Sequence, residues 1–206
     1  GRLYDYRAGV RPDAESIRKS LPDINYRHVI LDPAASTIRF TEEGTRINLG
    51  GIGKGYSCDR VADLLRRAGV RSGRVNAGGD TTLIGNREGR PWMIGIRDPD
   101  AGDSWVTRLA LEDEAISTAG DYERYFDEDG IRYHHIINPK TGDSARGVRS
   151  VTVIGPDATM TDGLDNAVFI LGPEKGLALI DAMPGYAAVV IDAERNVRFS
   201  KALQSR

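Results

Sequence analysis

Between residues 27 and 137 turn-forming residues cut the chain into runs mostly too short for helices, and this restricts the fold more than any other feature of the sequence. Residues 27–31, 37–41, 45–49, 74–77, 81–84, 92–97, 105–111 and 131–137 read as strands, most of them bounded by Gly, Pro or Asp. One stretch breaks the pattern. Residues 50–55 hold four glycines in six positions and lead into a segment with apolar residues at Val61, Ala62, Leu64 and Leu65 that ends at Gly69, so a glycine-rich turn feeds a helix there. After a strand at 150–154, Met160, Leu164, Val168 and Leu171 recur at helical spacing until Gly172-Pro173 stops the run, which predicts a helix over 158–171. Pro173 then starts a second helix over 173–182, followed by a strand at 186–191 and a turn at 194–196. The first 25 residues form a lead-in segment with a short helix over 13–20 capped by Asp13. With no repeat and no linker, residues 1–206 are expected to form a single α+β domain, a mixed and mostly antiparallel sheet with flanking helices.

Composition narrows the partners. Twenty-eight Lys and Arg against 30 Asp and Glu leave a formal charge of -2, and no like-charge run is long enough to follow a phosphate backbone, so nucleic acid is not an expected partner. Cys58 is the only cysteine, which leaves no internal disulfide and no zinc site built from paired cysteines. The longest apolar runs, such as residues 186–191, are too short to span a bilayer.

Four stretches have residue types that suit chemistry. In I-N-L-G-G-I-G-K-G-Y, residues 47–56, glycines let the backbone approach a ligand, the helix start offers unpaired N–H groups, and Lys54 adds positive charge; a tight structural connection would look the same. V-N-A-G-G-D, residues 75–80, ends a strand with two glycines beside Asp80, either a plain turn or a place where a carboxylate meets a ribityl chain. Ser117 and Thr118 lie in I-S-T-A-G-D-Y-E-R-Y-F, residues 116–126, where a strand would break at Gly120; hydroxyls there can donate to phosphate oxygens, and a plain turn is the alternative. His134 and His135 follow as strand neighbours, so they point to opposite faces and at most one enters a given pocket. In T-D-G-L-D-N-A, residues 161–167, Asp162, Asp165 and Asn166 stand at i, i+3 and i+4 of the helix and share one face. A solvated face is the ordinary explanation of that spacing, although hard oxygen ligands on one helix face also suit magnesium.

Taken together and in this order, G-G-I-G-K-G-Y, V-N-A-G-G-D, S-T-A-G-D-Y-E-R, H-I-I-N-P-K-T-G and S-V-T-V-I-G-P with the acidic helix after it resemble the ApbE family of FAD:protein FMN transferases, from about Tyr26 to Ile191. The resemblance implies a T-fold-related flavin transferase domain that lacks the family's N-terminal part. It also implies a magnesium ion held by the Gly51 carbonyl, Asp162 and Asn166 with Asp165 beside them. FAD is implied as substrate, contacted by Asn48, Lys54, Asp80, Ser117, Thr118 and Ile136. Catalysis is assigned to Asp162 and to His135, the latter as base for the hydroxyl of a threonine or serine in a redox partner, which takes FMN while AMP leaves. Asn48 stands where the family usually has Asp, and Asn166 where it usually has Thr. A periplasmic location or one at the outer face of the cytoplasmic membrane goes with the resemblance, and a homodimer is left open. FAD binding without transfer, or hydrolysis of FAD to FMN and AMP, are the alternative activities.

Overall fold

The computed structural model describes residues 3–101 and 104–204. In chain order the elements are helix α1 (Ala14–Ser20), strands β1 (Val29–Asp32) and β2 (Thr37–Phe40), and helix α2 (Gly53–Arg67). Strands β3 (Gly73–Ala77), β4 (Asp80–Ile84), β5 (Trp92–Arg97), β6 (Trp105–Leu111), β7 (Ala115–Gly120), β8 (Tyr125–Glu128), β9 (Ile131–His134) and β10 (Val148–Gly155) follow. The chain then forms helices α3 (Ala158–Leu171) and α4 (Pro173–Asp181), strands β11 (Ala187–Asp192) and β12 (Val197–Phe199), and the short helix α5 (Lys201–Gln204).

Six strands make one sheet in the order β12-β11-β10-β7-β4-β3, each paired antiparallel with its neighbour. Period-two alternation divides its side chains between two layers. On one face Ala119, Val151, Val153, Ala188 and Val190 pack against Leu164, Val168 and Phe169 of α3 and Ile180 of α4. On the other, Leu83, Ile116, Ile154 and Ala187 meet Leu111 together with Trp92, Ile94 and Leu109 of the antiparallel β5–β6 hairpin. The mostly antiparallel α+β architecture expected from the turn pattern is therefore the one observed. Two further hairpins, β1–β2 and β8–β9, stand apart from the main sheet.

Helix α3 is held at both ends. Asp157 caps it by accepting from the Met160 N–H at 2.8 Å, and Gly172, at φ 81°, ends it by donating to the Val168 carbonyl. Its first turn is also tied to α2, because Asp59 accepts from the Ala158 and Thr159 N–H groups at 2.8 Å each. The two helices meet at Gly55, where a Cβ would lie 2.0 Å from the Ala158 carbonyl oxygen.

The fold departs from the expected elements in a few places. Residues 45–49 are not a strand. Among the described residues the β1–β2 sheet has two strands only, and Asn48 turns the chain by accepting the Gly50 N–H at 2.7 Å. Strand β9 stops at His134 rather than at residue 137, since the Ile136 N–H is taken by the His134 ring at 3.3 Å instead of a partner strand. Strands β8 and β12 and helix α5 were not among the expected elements.

Candidate active site at the crossing of two helices

The site lies where the start of α2, the start of β4, the middle of β7 and the acidic face of α3 converge. Helix α2 begins after a turn in which Leu49 accepts from both Ile52 and Gly53 N–H groups, at 3.1 and 2.8 Å. Its first turn points Lys54 at the sheet and leaves the Gly55 N–H to donate to Asp162 Oδ2 at 3.0 Å. The β3–β4 turn brings Asp80 to the same place. Gly78 and Gly79, at φ 59° and 106°, make a turn that residues with a Cβ adopt rarely, and a Cβ on Gly78 would also press on Lys54 Cδ at 3.2 Å.

Asp80, Asp162 and Asp165 are all buried, and one carboxylate oxygen from each lies within 4.8 Å of the others. Lys54 Nζ makes a close ion pair with Asp80 Oδ2 and stands 3.7 Å from Asp162 Oδ1. Among the described residues Asp80 Oδ1 is buried with no hydrogen-bond partner. Three carboxylates so close cannot all stay ionised cheaply without a cation. Burial, then the Asp80 and Asp162 charges, hold the Asp165 carboxyl well above the usual carboxylate range. Burial also raises Asp80, with Lys54 pulling against it. Burial works against the Lys54 ammonium, but Asp80, Asp162 and Asp165 outweigh it and leave its pKa raised.

Asn166 orders the acidic face: its Nδ2 donates to Asp165 Oδ1 at 2.8 Å and to the Asp162 carbonyl at 2.9 Å, so both amide hydrogens are engaged. Gly51 adjoins it, a Cβ there falling 3.8 Å from Asn166 Nδ2. Ser117 reaches the same region, its Oγ 2.8 Å from Thr161 Oγ1 and close enough to Asp80 to lower that carboxyl's pKa. His135 lies half-buried beyond β9, its N–H donating to the Arg124 carbonyl at 3.1 Å. Among the described residues its Nδ1 is buried without a partner, and burial, with Arg124 and Lys54 among the nearby charges, lowers its pKa.

The structure thus gathers Gly51, Lys54, Asp80, Ser117, Asp162, Asp165 and Asn166, with His135 within electrostatic reach of Lys54. It does not bring in three other expected residues. Thr118 follows Ser117 along β7 and so faces the other side of the sheet, where its hydroxyl is 2.8 Å from that of Thr152. Asn48 is exposed and its side chain is folded onto Gly50. Ile136 packs its side chain into the α3–α4 core. Two contributors were not anticipated from the sequence: Thr161, whose place one turn from Asp165 was a usable signal, and Asp59, whose contact with α3 is nonlocal.

The ApbE family model matches residues 2–190. Over 97% of its length the chain is 35% identical to an FAD:protein FMN transferase of Treponema pallidum, and it covers 59% of that protein. Over 66% of its length it is 40% identical to an FAD:protein FMN transferase of Vibrio cholerae, covering 42% of it. Among solved structures, the ApbE protein of Thermotoga maritima superimposes on all of the chain with a TM-score of 0.88 at 36% identity, with 67% of that protein covered. The flavin transferase ApbE from Vibrio cholerae superimposes on 95% of it with a TM-score of 0.83 at 30% identity, with 63% covered. The chain spans about three fifths of the length of the Treponema relative. Matched along nearly its whole length by the family and by these structures, the chain belongs to the ApbE family.

Proposed function

We propose that this chain moves FMN from FAD to a threonine or serine hydroxyl of a partner redox protein, with magnesium bound and AMP released. The observation that carries the reading is the buried cluster of Asp80, Asp162 and Asp165 beside Lys54 at a glycine-rich helix start. The residues fit a hard cation: the cluster is all carboxylate oxygen, Asp80 Oδ1 lacks any other partner, and the like charges need a counterion. Asp162, Asp165 and Asp80, with the Asn166 amide oxygen and the Gly51 carbonyl nearby, would hold it. When bound there, magnesium supplies positive charge to the diphosphate oxygens of FAD.

The chain's own groups account for the rest. Lys54 puts a second positive charge at the helix start, where the N-terminal end of α2 also favours anionic oxygens. His135, kept neutral near pH 7 by burial, accepts the proton of the acceptor hydroxyl. That oxygen forms a bond to the phosphorus on the FMN side, the bond from this phosphorus to the bridging oxygen breaks, and AMP departs with the electron pair. The periplasm or the outer face of the cytoplasmic membrane, as the family resemblance implies, is the proposed place of the acceptor. Among the described residues no helix is long and apolar enough to cross a membrane.

The test is to incubate the chain with FAD, magnesium and a threonine-bearing acceptor domain, and to follow acceptor mass and AMP. The acceptor should gain one FMN only when metal is present. Release of FMN and AMP with no gain in acceptor mass would replace transfer by FAD hydrolysis, and FAD binding without either product would leave a binding protein.

A further inference from the structure

Next to the proposed base, residues 134, 136, 144 and 145 are all buried and tied together. Ser144 Oγ accepts from the His134 N–H at 2.9 Å and donates to the His134 carbonyl at 2.8 Å, so one hydroxyl holds both backbone polar groups of that residue. The Ala145 N–H donates to the Ile136 carbonyl at 2.9 Å. The His134 ring closes the set. Its Nε2 lies 2.8 Å from the Ala145 carbonyl, which can only accept, so Nε2 carries the hydrogen and Nδ1 is free to accept the Ile136 N–H at 3.3 Å. Only the neutral Nε2–H tautomer satisfies both bonds. Phe169 of α3 meets the ring edge-on with centroids 5.4 Å apart, which fixes its plane. His135 is the one residue between these ties whose side chain is left out of them.

We infer that His134 is a positioning residue for the transfer reaction: by bridging the Ala145 carbonyl and the Ile136 N–H it holds the backbone on both sides of His135 and sets where the base meets the acceptor hydroxyl. The inference rests on the transferase reading above. It gives the two adjacent histidines different roles, one with its ring tied into the core and the other with its ring left free of those ties.

Three variants separate this role from general stability. His134→Leu removes both ring hydrogen bonds at similar volume. In His134→Asn, Oδ1 occupies roughly the place of Nδ1 and can still accept the Ile136 N–H. His134→Gln can still reach the Ala145 carbonyl but not the Ile136 N–H. Amide hydrogen exchange at Ile136 reads the tie directly and needs no activity: protection is expected in the wild type and Asn variant and lost in the Leu and Gln variants. With magnesium, FAD and the acceptor domain, His134→Leu should lower kcat about tenfold or more while KM for FAD stays within about twofold, and Asn should recover most of the loss. Should the Leu variant fail to fold, the Asn and Gln pair decides the matter, Gln being expected to be the slower. Equal kcat in those two, or unchanged Ile136 protection in Gln, would overturn the inference. A wild-type chain that transfers no FMN while Ile136 exchange follows the expected pattern would sink the transferase reading and leave the backbone tie standing.

Discussion

Asp165 shows the conflict at the centre of the site. It is 2% exposed, carries a pKa well above its ordinary value, and sits beside two more carboxylates, so in metal-free protein it is a cost that only a cation or a proton relieves. Asp165→Asn should therefore stabilise the metal-free chain by about 1 kcal/mol at neutral pH while weakening magnesium binding at least about tenfold, the exchange expected of a residue kept for function. Urea denaturation in chelator and a metal titration measure the two sides; a variant destabilised in chelator would show that Asp165 is structural. Asp162 has more duties, since it also accepts the Gly55 N–H, and Asp162→Ala should remove magnesium-dependent turnover altogether. His135→Ala, in contrast, should slow transfer about a hundredfold or more and leave the dissociation constant for FAD nearly unchanged, as acceptor mass and fluorescence titration would show. Asp162, Asp165 and Asn166 were legible as one face because their relation is local to a helix. The place of Asp80 among them was not, since it depends on β4 lying beside β7 under α2 and α3.

At the scale of elements, the site depends on how closely α2 and α3 cross. Gly55 presents no side chain to the Ala158 carbonyl, and Asp59 joins the two helices through Ala158 and Thr159 while also accepting from the Thr82 hydroxyl of β4. Gly55→Ala would push backbone against backbone and should cost about 2 kcal/mol or more, with the acidic face of α3 displaced from Lys54. Asp59→Ala removes a side chain that acts as a second cap and should cost about 1–2 kcal/mol. Thermal melts of both variants, with magnesium affinity measured alongside, check the coupling; unchanged affinity in a destabilised Gly55→Ala would separate helix packing from the site. The elements legible in sequence were those with strong local signals. Helix α3 has apolar residues at helical spacing and a Gly-Pro stop, and it forms over the expected residues. Strands β5 and β6 likewise fill the expected runs between turn residues. Strand β8 was missed because Tyr125–Glu128 is half charged and gains its order from pairing with β9. Residues 45–49 alternate like a strand but find no partner, since pairing is decided by the rest of the chain. Thr118 could have been placed away from Ser117 from the two-residue period alone, once β7 was read as a strand.

For the whole molecule, two sets of buried groups bend stability with pH in opposite directions. His134 is pushed down to about 4 by burial, from an ordinary value of 6.5. Between those values the unfolded chain binds the extra proton, so the His134 contribution to stability falls as pH drops through that window. Asp165 and Asp80 are raised by burial above the ordinary 3.8, so there the folded metal-free chain binds more protons, and stability falls as pH rises from 3.8 through their folded values. Magnesium acts on the second set alone, since it competes with protons for the cluster. Its stabilising effect should grow with pH and approach about 2.7 kcal/mol when the free ion is a hundredfold above its dissociation constant. Melting curves with magnesium and with chelator, taken from pH 5 to pH 8, should therefore diverge as pH rises, while Asp162→Ala should show a much smaller gap at every pH. A gap in the wild type that stays constant with pH would mean that the ion binds without displacing protons, and the cluster of Asp80, Asp162 and Asp165 would then not be its site.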